Sequence, residues 1–155
     1  PRPSAGWPRT SSPRATVRIR EFHRGDEEAV VALWVACELT RPWNDPGKDI
    51  ERKLAHSPSL FLVGEDEGLV VGSVMAGYDG HRGWVNYLAV HPSARGRGLG
   101  RALMEAAEER LLAQGCPKVN LQVRAENEAA CAFYDAVGYE RQGLVDFGKR
   151  LVSDE

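Results

Sequence analysis

The hydrophobic and polar positions of this chain change period several times, and each change marks an element. From Thr16 to Phe22, Val17 and Ile19 alternate with polar neighbours, which predicts a first strand. Asp26 is placed to cap a helix in which Val30, Leu33, Trp34 and Cys37 recur at helical spacing, and that stripe reads as core. The segment Thr40-Arg41-Pro42-Trp43-Asn44-Asp45-Pro46 interrupts the pattern, and Pro46 suits the first turn of a second, short helix bearing Ile50 and Leu54.

Three consecutive strands follow, over 59–65, 70–78 and 84–90, the first two joined around Gly68 and the next two by Asp79-Gly80-His81-Arg82-Gly83. They predict an antiparallel meander. Between Gly98 and Gln114, Leu99, Leu103, Ala106 and Leu111 share one helix face, and Gly115 with Pro117 ends that helix. Lys118 to Arg124 reads as a strand buried through Val119, Leu121 and Val123, and the helix holding Tyr134 comes next. Two short closing strands are expected over 139–145 and 147–152. The order βααβββαβαββ predicts an α+β domain with a mixed, mostly antiparallel sheet flanked by helices.

The passage from the last meander strand into the long helix carries candidate chemistry. In Leu88-Ala-Val-His-Pro-Ser-Ala-Arg-Gly-Arg-Gly-Leu-Gly-Arg-Ala-Leu103, an apolar run ends at a Pro and turns through glycines 96, 98 and 100 into a helix. Glycine leaves backbone N–H groups open to a ligand, and the helix start adds unpaired N–H groups and the positive dipole end, which together suit a phosphate. The spacing excludes a P-loop, which needs G-x-x-x-x-G-K-[ST], and the dinucleotide G-x-G-x-x-G. What remains is R-x-x-G-x-G, from Arg95, Gly98 and Gly100. The alternative is a structural turn that uses glycine only for positive φ.

A helix and a strand downstream lies Asn127-Glu-Ala-Ala-Cys-Ala-Phe-Tyr134, continuing to Gly138-Tyr139. R-x-x-G-x-G followed by N-x-x-A-x-x-F-Y-x-x-x-G-Y resembles the GNAT acetyltransferase superfamily, whose members move an acetyl group from acetyl-CoA to an amine. Across Thr16 to Leu151, the segments LTRPWNDP, SLFLV, YDGHRGWVNYLAVHP, GCPK and GYE resemble, more narrowly, the bacterial YpeA type of GNAT protein.

The resemblance implies the GNAT fold, acetyl-CoA between splayed fourth and fifth strands, and an N-acetyltransferase. It lays the pantetheine along Leu88, Ala89 and Val90, with the Leu88 N–H polarising the thioester carbonyl. It sets the pyrophosphate on the backbone of Arg95, Gly96, Arg97, Gly98, Leu99, Gly100 and Arg101. The arginine side chains either add charge-assisted bonds or remain solvated. Tyr134 matches the family's tyrosine that protonates the leaving thiolate, its alternative being a packed aromatic beside Phe133. Asn127 would orient the cofactor or a water.

A base for the incoming ammonium is harder to find. Some GNAT proteins use a Glu early in the fourth strand, where this chain has Trp84, and the RimI kind use one in the fifth, where it has Gln122. Glu126, Asp79 and His81 are replacements, as is Tyr78 through a water wire, although Asp79 and His81 could only shape a hairpin and Glu126 only cap a helix. The family's acceptor cleft borders the loop between the first two helices, which nominates Arg41, Trp43, Asn44 and Asp45 for the acceptor, with Asp79 and His81 as further candidates; the alternative is a Pro-stiffened connector with Trp43 packed inward. The acceptor is then a primary amine of a small molecule or peptide, attacked directly in a ternary complex. A catalytically idle acyl-CoA sensor or interaction module is the rival reading, and the family leaves room for a homodimer.

Composition narrows the partners. With 155 residues, 43% of them hydrophobic, the chain reads as one domain over 16–155. Residues 1–15, PRPSAGWPRTSSPRA, have the composition of a disordered basic arm or expression remnant. The net charge is −2 although this arm is basic, so the remainder is acidic, which argues against a nucleic-acid surface. No apolar run approaches the roughly 18 residues that span a bilayer, and a cytoplasmic protein without membrane contact is expected. Cys37, Cys116 and Cys131 lack C-x-x-C spacing and the four histidines lack H-x-x-x-H, so no disulfide framework and no metal site are indicated.

Overall fold

The computed structural model describes residues 17–155, and the basic arm expected over 1–15 lies outside them. The order is β1 (Arg18–Glu21), a 3-10 turn, α1 (Glu27–Ala36), α2 (Pro46–His56), β2 (Phe61–Asp66), β3 (Leu69–Tyr78), β4 (Gly83–Val90), α3 (Leu99–Ala113), β5 (Val119–Leu121) and α4 (Glu128–Ala136). The strands lie in the order β1-β2-β3-β4-β5, antiparallel except for the parallel pair β4–β5.

Period-two alternation sorts the strands between two apolar layers. Leu62, Val74, Ala76 and Val85 meet Leu99, Leu103, Met104, Ala107 and Leu111 of α3. On the opposite face Phe61, Val63, Met75 and Ala89 meet Val30, Leu33 and Trp34 of α1 and Ile50 of α2. Full burial of each large apolar side chain contributes about 1.5–3 kcal/mol, so β2 and β3, covered on both faces, hold the register of everything beside them.

Three expectations change. Asp26 precedes α1 but does not cap it. Its buried carboxylate turns back to Arg20 at 2.8 and 2.9 Å and to the His23 N–H at 3.0 Å. Burial alone pushes Asp26 upward, yet these donors hold it below the usual carboxylate range. The fifth strand is three residues long rather than seven, and Val119, Leu121 and Val123 are half-buried.

The closing strands over 139–145 and 147–152 are not formed. A strand needs a backbone partner, and here the tail meets β5 through side chains: Lys118 donates to Gln142 at 2.8 Å, and Gln122 donates to Asp146. Leu144 and Phe147 are consequently 83% and 91% exposed. The tail is instead fixed at its far end, where Asp154 accepts from Arg52 at 2.5 Å and from the Asp45 N–H at 2.8 Å.

Candidate active site

The parallel ladder between β4 and β5 stops after Val85 and Leu121. From Asn86 to Val90 the outer edge of β4 therefore has no strand partner, and a cleft opens between the two strands. A bulge accompanies the opening. The β3–β4 register passes from Met75↔Asn86 to Ser73↔Ala89, leaving Tyr87 and Leu88 opposite the single residue Val74. Tyr87 takes φ 51°, a left-handed conformation that costs an aromatic residue roughly 1–3 kcal/mol. The extra residue also shifts the side-chain alternation: Val85, Leu88 and Val90 all meet the α3 layer, while Tyr87 and Ala89 meet the α1–α2 layer.

The exposed edge leads into the glycine loop. The His91 ring accepts from the Ser93 N–H at 3.1 Å, and a 3-10 turn over Pro92–Ala94 carries the chain round. Gly96 and Gly98 both have φ 78°, and a Cβ on either would meet no atom within 4 Å. Gly98 is the residue before α3, so open space lies over the unpaired N–H groups of a 15-residue helix. Gly100 has a further role. It already lies in α3, where a Cβ would come within 3.1 Å of Phe133, so its missing side chain lets α3 and α4 approach.

All three loop arginines have protein partners. Arg95 Nε donates to Val90 O at 3.1 Å, Arg97 pairs with Asp66 at 2.9 Å, and Arg101 donates to Ala136 O at 3.2 Å. The backbone is thus the open part of the cradle. An unpaired strand edge running into an anion-ready helix start fits an extended ligand that carries amides at one end and phosphates at the other.

Tyr134 and Trp84 line a groove of about 950 Å³ together with Gln122, Cys131 and Asp146. Burial pushes the Tyr134 hydroxyl up to about 12, so it is a neutral donor at physiological pH. Its ring meets Phe133 and Tyr139 edge-on, with centroids 5.1 and 5.8 Å apart. Asn127 caps α4, its Oδ1 accepting from the Ala130 N–H at 3.1 Å. Glu126 is exposed on the turn before α4 and does not line the groove.

The other nominated residues fall in two places. Asp79 accepts from the His81 and Arg82 N–H groups at 2.8 and 2.7 Å, shaping the β3–β4 hairpin. These bonds, that from Arg82 first, hold its carboxyl below the ordinary range. The Tyr78 hydroxyl faces Gly115 O at 3.4 Å. Arg41 donates to the Glu38 and Thr40 carbonyls at 2.8 and 2.9 Å, closing the α1–α2 loop on itself. Asn44 accepts from Arg150 at 2.6 Å, and Asp45 caps α2 through the Lys48 N–H at 3.1 Å. Trp43 is 49% exposed and lines a second cavity of about 720 Å³ with Arg52 and residues 148–152.

Sequence reading missed Tyr87, whose hydroxyl donates to Asp49 at 2.6 Å, and the tail residues Asp146 and Asp154. No spacing announces a bulge at a tyrosine. The Asp154 contacts join residues 102 and 109 positions apart, and that of Asp146 spans 24.

Comparison with known proteins bears on this geometry. The profile of the Acetyltransferase (GNAT) family matches residues 19–139. An acetyltransferase of Yersinia enterocolitica is 53% identical over 139 residues, covering 90% of this chain and 99% of the relative. One from Pectobacterium atrosepticum is 54% identical over 138 residues, covering 89% and 98%. Among solved structures, the aminoglycoside acetyltransferase AAC(6')-Iy in complex with a CoA bisubstrate analogue superposes with a TM-score of 0.72 at 20% identity, over 88% of this chain and 99% of that one, and so shares the fold. The chain belongs to the acetyltransferase (GNAT) family and is an N-acetyltransferase with acetyl-CoA as its co-substrate.

Proposed function

We propose that the protein acetylates a primary amine of a small molecule or peptide by direct attack, with both substrates bound in the β4–β5 cleft. The observation that carries this reading is the unpaired β4 edge from Asn86 to Val90, opened by the bulge at Tyr87 and continuous with the open space over Gly98. When bound, acetyl-CoA supplies an activated acyl carbon and a thiolate leaving group.

The chain's own residues do the rest. The Val90 N–H, whose own carbonyl already accepts from Arg95 and Cys37, donates to a pantetheine amide as a missing strand would. The N–H groups at the start of α3, aided by its dipole, hold the pyrophosphate. The Leu88 N–H donates to the thioester carbonyl, where negative charge grows during attack, and a fixed donor there is worth more than one in water. Tyr134, kept neutral by burial, donates its hydroxyl proton to the departing sulfur, and the proton shed by the acylated nitrogen restores it. Freeing an alkylammonium of pKa about 10.4 costs roughly 4–5 kcal/mol at neutral pH. Neither Trp84 nor Gln122 lowers that cost, so the reaction draws on the free-amine fraction and its rate rises with pH.

The test incubates the protein with acetyl-CoA and a panel of small-molecule and peptide amines. CoA thiol release is followed and the product analysed by mass spectrometry. Acetyl found on nitrogen of a panel amine supports the reading. Tight acetyl-CoA binding with no acetylated amine across the panel, including at alkaline pH, would overturn it in favour of the acyl-CoA sensor that the missing carboxylates at 84 and 122 suggest.

A further inference from the structure

The bulge in β4 sits on a closed set of side chains that the reaction itself does not use. Ser73 is fully buried and is one of two buried polar residues in the described core, the other being the ion-paired Asp26. Its hydroxyl accepts the indole N–H of Trp34 at 2.9 Å and donates to the carbonyl oxygen of Tyr87 at 2.9 Å. The Tyr87 ring returns to stack on the same indole, with centroids 3.8 Å apart and planes 12° from parallel. Its hydroxyl is held by Asp49 at 2.6 Å, and Asp49 in turn by Arg52 at 3.1 Å.

We propose that Trp34, Ser73 and Asp49 are positioning residues for catalysis: they lock Tyr87 in its left-handed conformation and so fix the direction of the neighbouring Leu88 N–H.

An aromatic β-former at φ 51° lies outside its favoured region, and such a conformation persists only where the surroundings over-determine it. Here three restraints act on one residue: its carbonyl is bonded, its ring is stacked and its hydroxyl is bonded. Each comes from a different element, β3, α1 and α2. Ser73 links two of them, because one small hydroxyl can accept from Trp34 and donate to Tyr87 simultaneously. Loss of the bulge would remove one residue from the strand's count and turn Leu88 toward the opposite face. Removing the Ser73 hydroxyl would leave the buried Trp34 indole N–H and the Tyr87 carbonyl without this partner, so stability changes as well and is measured separately from catalysis.

This inference rests on the proposed role of the Leu88 N–H at the thioester carbonyl, and the test separates the two. Acetyl-CoA has that carbonyl and CoA lacks it. For parent, Ser73→Ala and Tyr87→Phe, affinities for both are measured by calorimetry, alongside kcat and the infrared frequency of the bound thioester carbonyl, after thermal melts establish folding. Ser73→Ala is expected to weaken acetyl-CoA about fivefold or more, leave CoA within about twofold, lower kcat about tenfold and shift the carbonyl band toward its value in free acetyl-CoA. Tyr87→Phe, which removes only the bond to Asp49, is expected to move the same readouts about threefold and keeps the test decisive if Ser73→Ala does not fold. Folded variants with an unchanged carbonyl band and equal losses for both ligands would overturn the inference. A parent that fails to bind acetyl-CoA would instead overturn the proposed function.

Discussion

Replacing Tyr134 by Phe isolates the leaving-group step because the structure separates that hydroxyl from its ring. The ring packs edge-on against Phe133 and Tyr139, and phenylalanine keeps both contacts. The upward displacement of the hydroxyl, to about 12, comes from burial alone, so no charged partner depends on it. The melting temperature should therefore change little. What the variant loses is a hydrogen bond to a sulfur that becomes anionic, worth about 1.5–3 kcal/mol for a charged acceptor. At about 1.36 kcal/mol per decade, kcat should fall roughly 10- to 150-fold. KM for acetyl-CoA should hold nearly constant, because the bond strengthens only as the thiolate forms.

The assay is CoA thiol release with the best amine of the panel, run from neutral to alkaline pH. A proton held to about 12 is not lost below about pH 10, so the parent profile should climb with the free amine and show no alkaline fall attributable to Tyr134. A folded Tyr134→Phe protein with kcat within twofold of the parent would refute the acid role and leave Tyr134 as a packing residue.

Two further outcomes are expected. Lys53 on α2 is half-buried, its Nζ donating to Ala76 O and, at 2.7 Å, to Ser57 Oγ, and burial lowers it to about 8. Its folded value lies below the unfolded value of about 10.4, so the unfolded chain binds more protons between them and stability rises with pH across that window. Urea unfolding at about pH 7.5 and 9.5 should show that rise in the parent and a smaller one in Lys53→Met; equal slopes would contradict it. At the tail, Arg52 and the Asp45 N–H hold the Asp154 carboxyl down to about 2. Asp154→Asn should speed amide hydrogen exchange over 148–155 and at Asp45, without altering exchange in α3; unchanged exchange would mean the tail is held by other contacts.

Much of this fold is written in local periodicity. The strands β2 and β3 read as continuous apolar runs because both of their faces are covered, and the helices α1 to α3 recur at helical spacing because each lays one face on the sheet. The glycine loop was equally legible at Gly96 and Gly98, where open space matches the requirement for positive φ. At Gly100 one letter answers two demands, since the missing side chain admits Phe133 while the N–H belongs to the open first turn of α3, and only the second is suggested by the loop pattern. The closing strands failed for a related reason. Leu144, Val145, Phe147, Leu151 and Val152 supply strand-like composition, but pairing depends on a free edge in the right register, which is a tertiary property. The bulge was invisible because Trp34, Ser73 and Asp49, which hold it, are scattered over three elements.

The most direct test of the account is a calorimetric titration of the parent and of Gly98→Asp with acetyl-CoA. Aspartate enters the left-handed conformation at Gly98 at a cost of about 1–2 kcal/mol, and nothing within 4 Å obstructs its Cβ, so the variant should fold while placing a negative charge in the phosphate cradle. The account predicts one acetyl-CoA bound per chain by the parent and at least a tenfold weaker interaction in the variant. Equal affinity in the two folded proteins, or no binding by the parent, would contradict it.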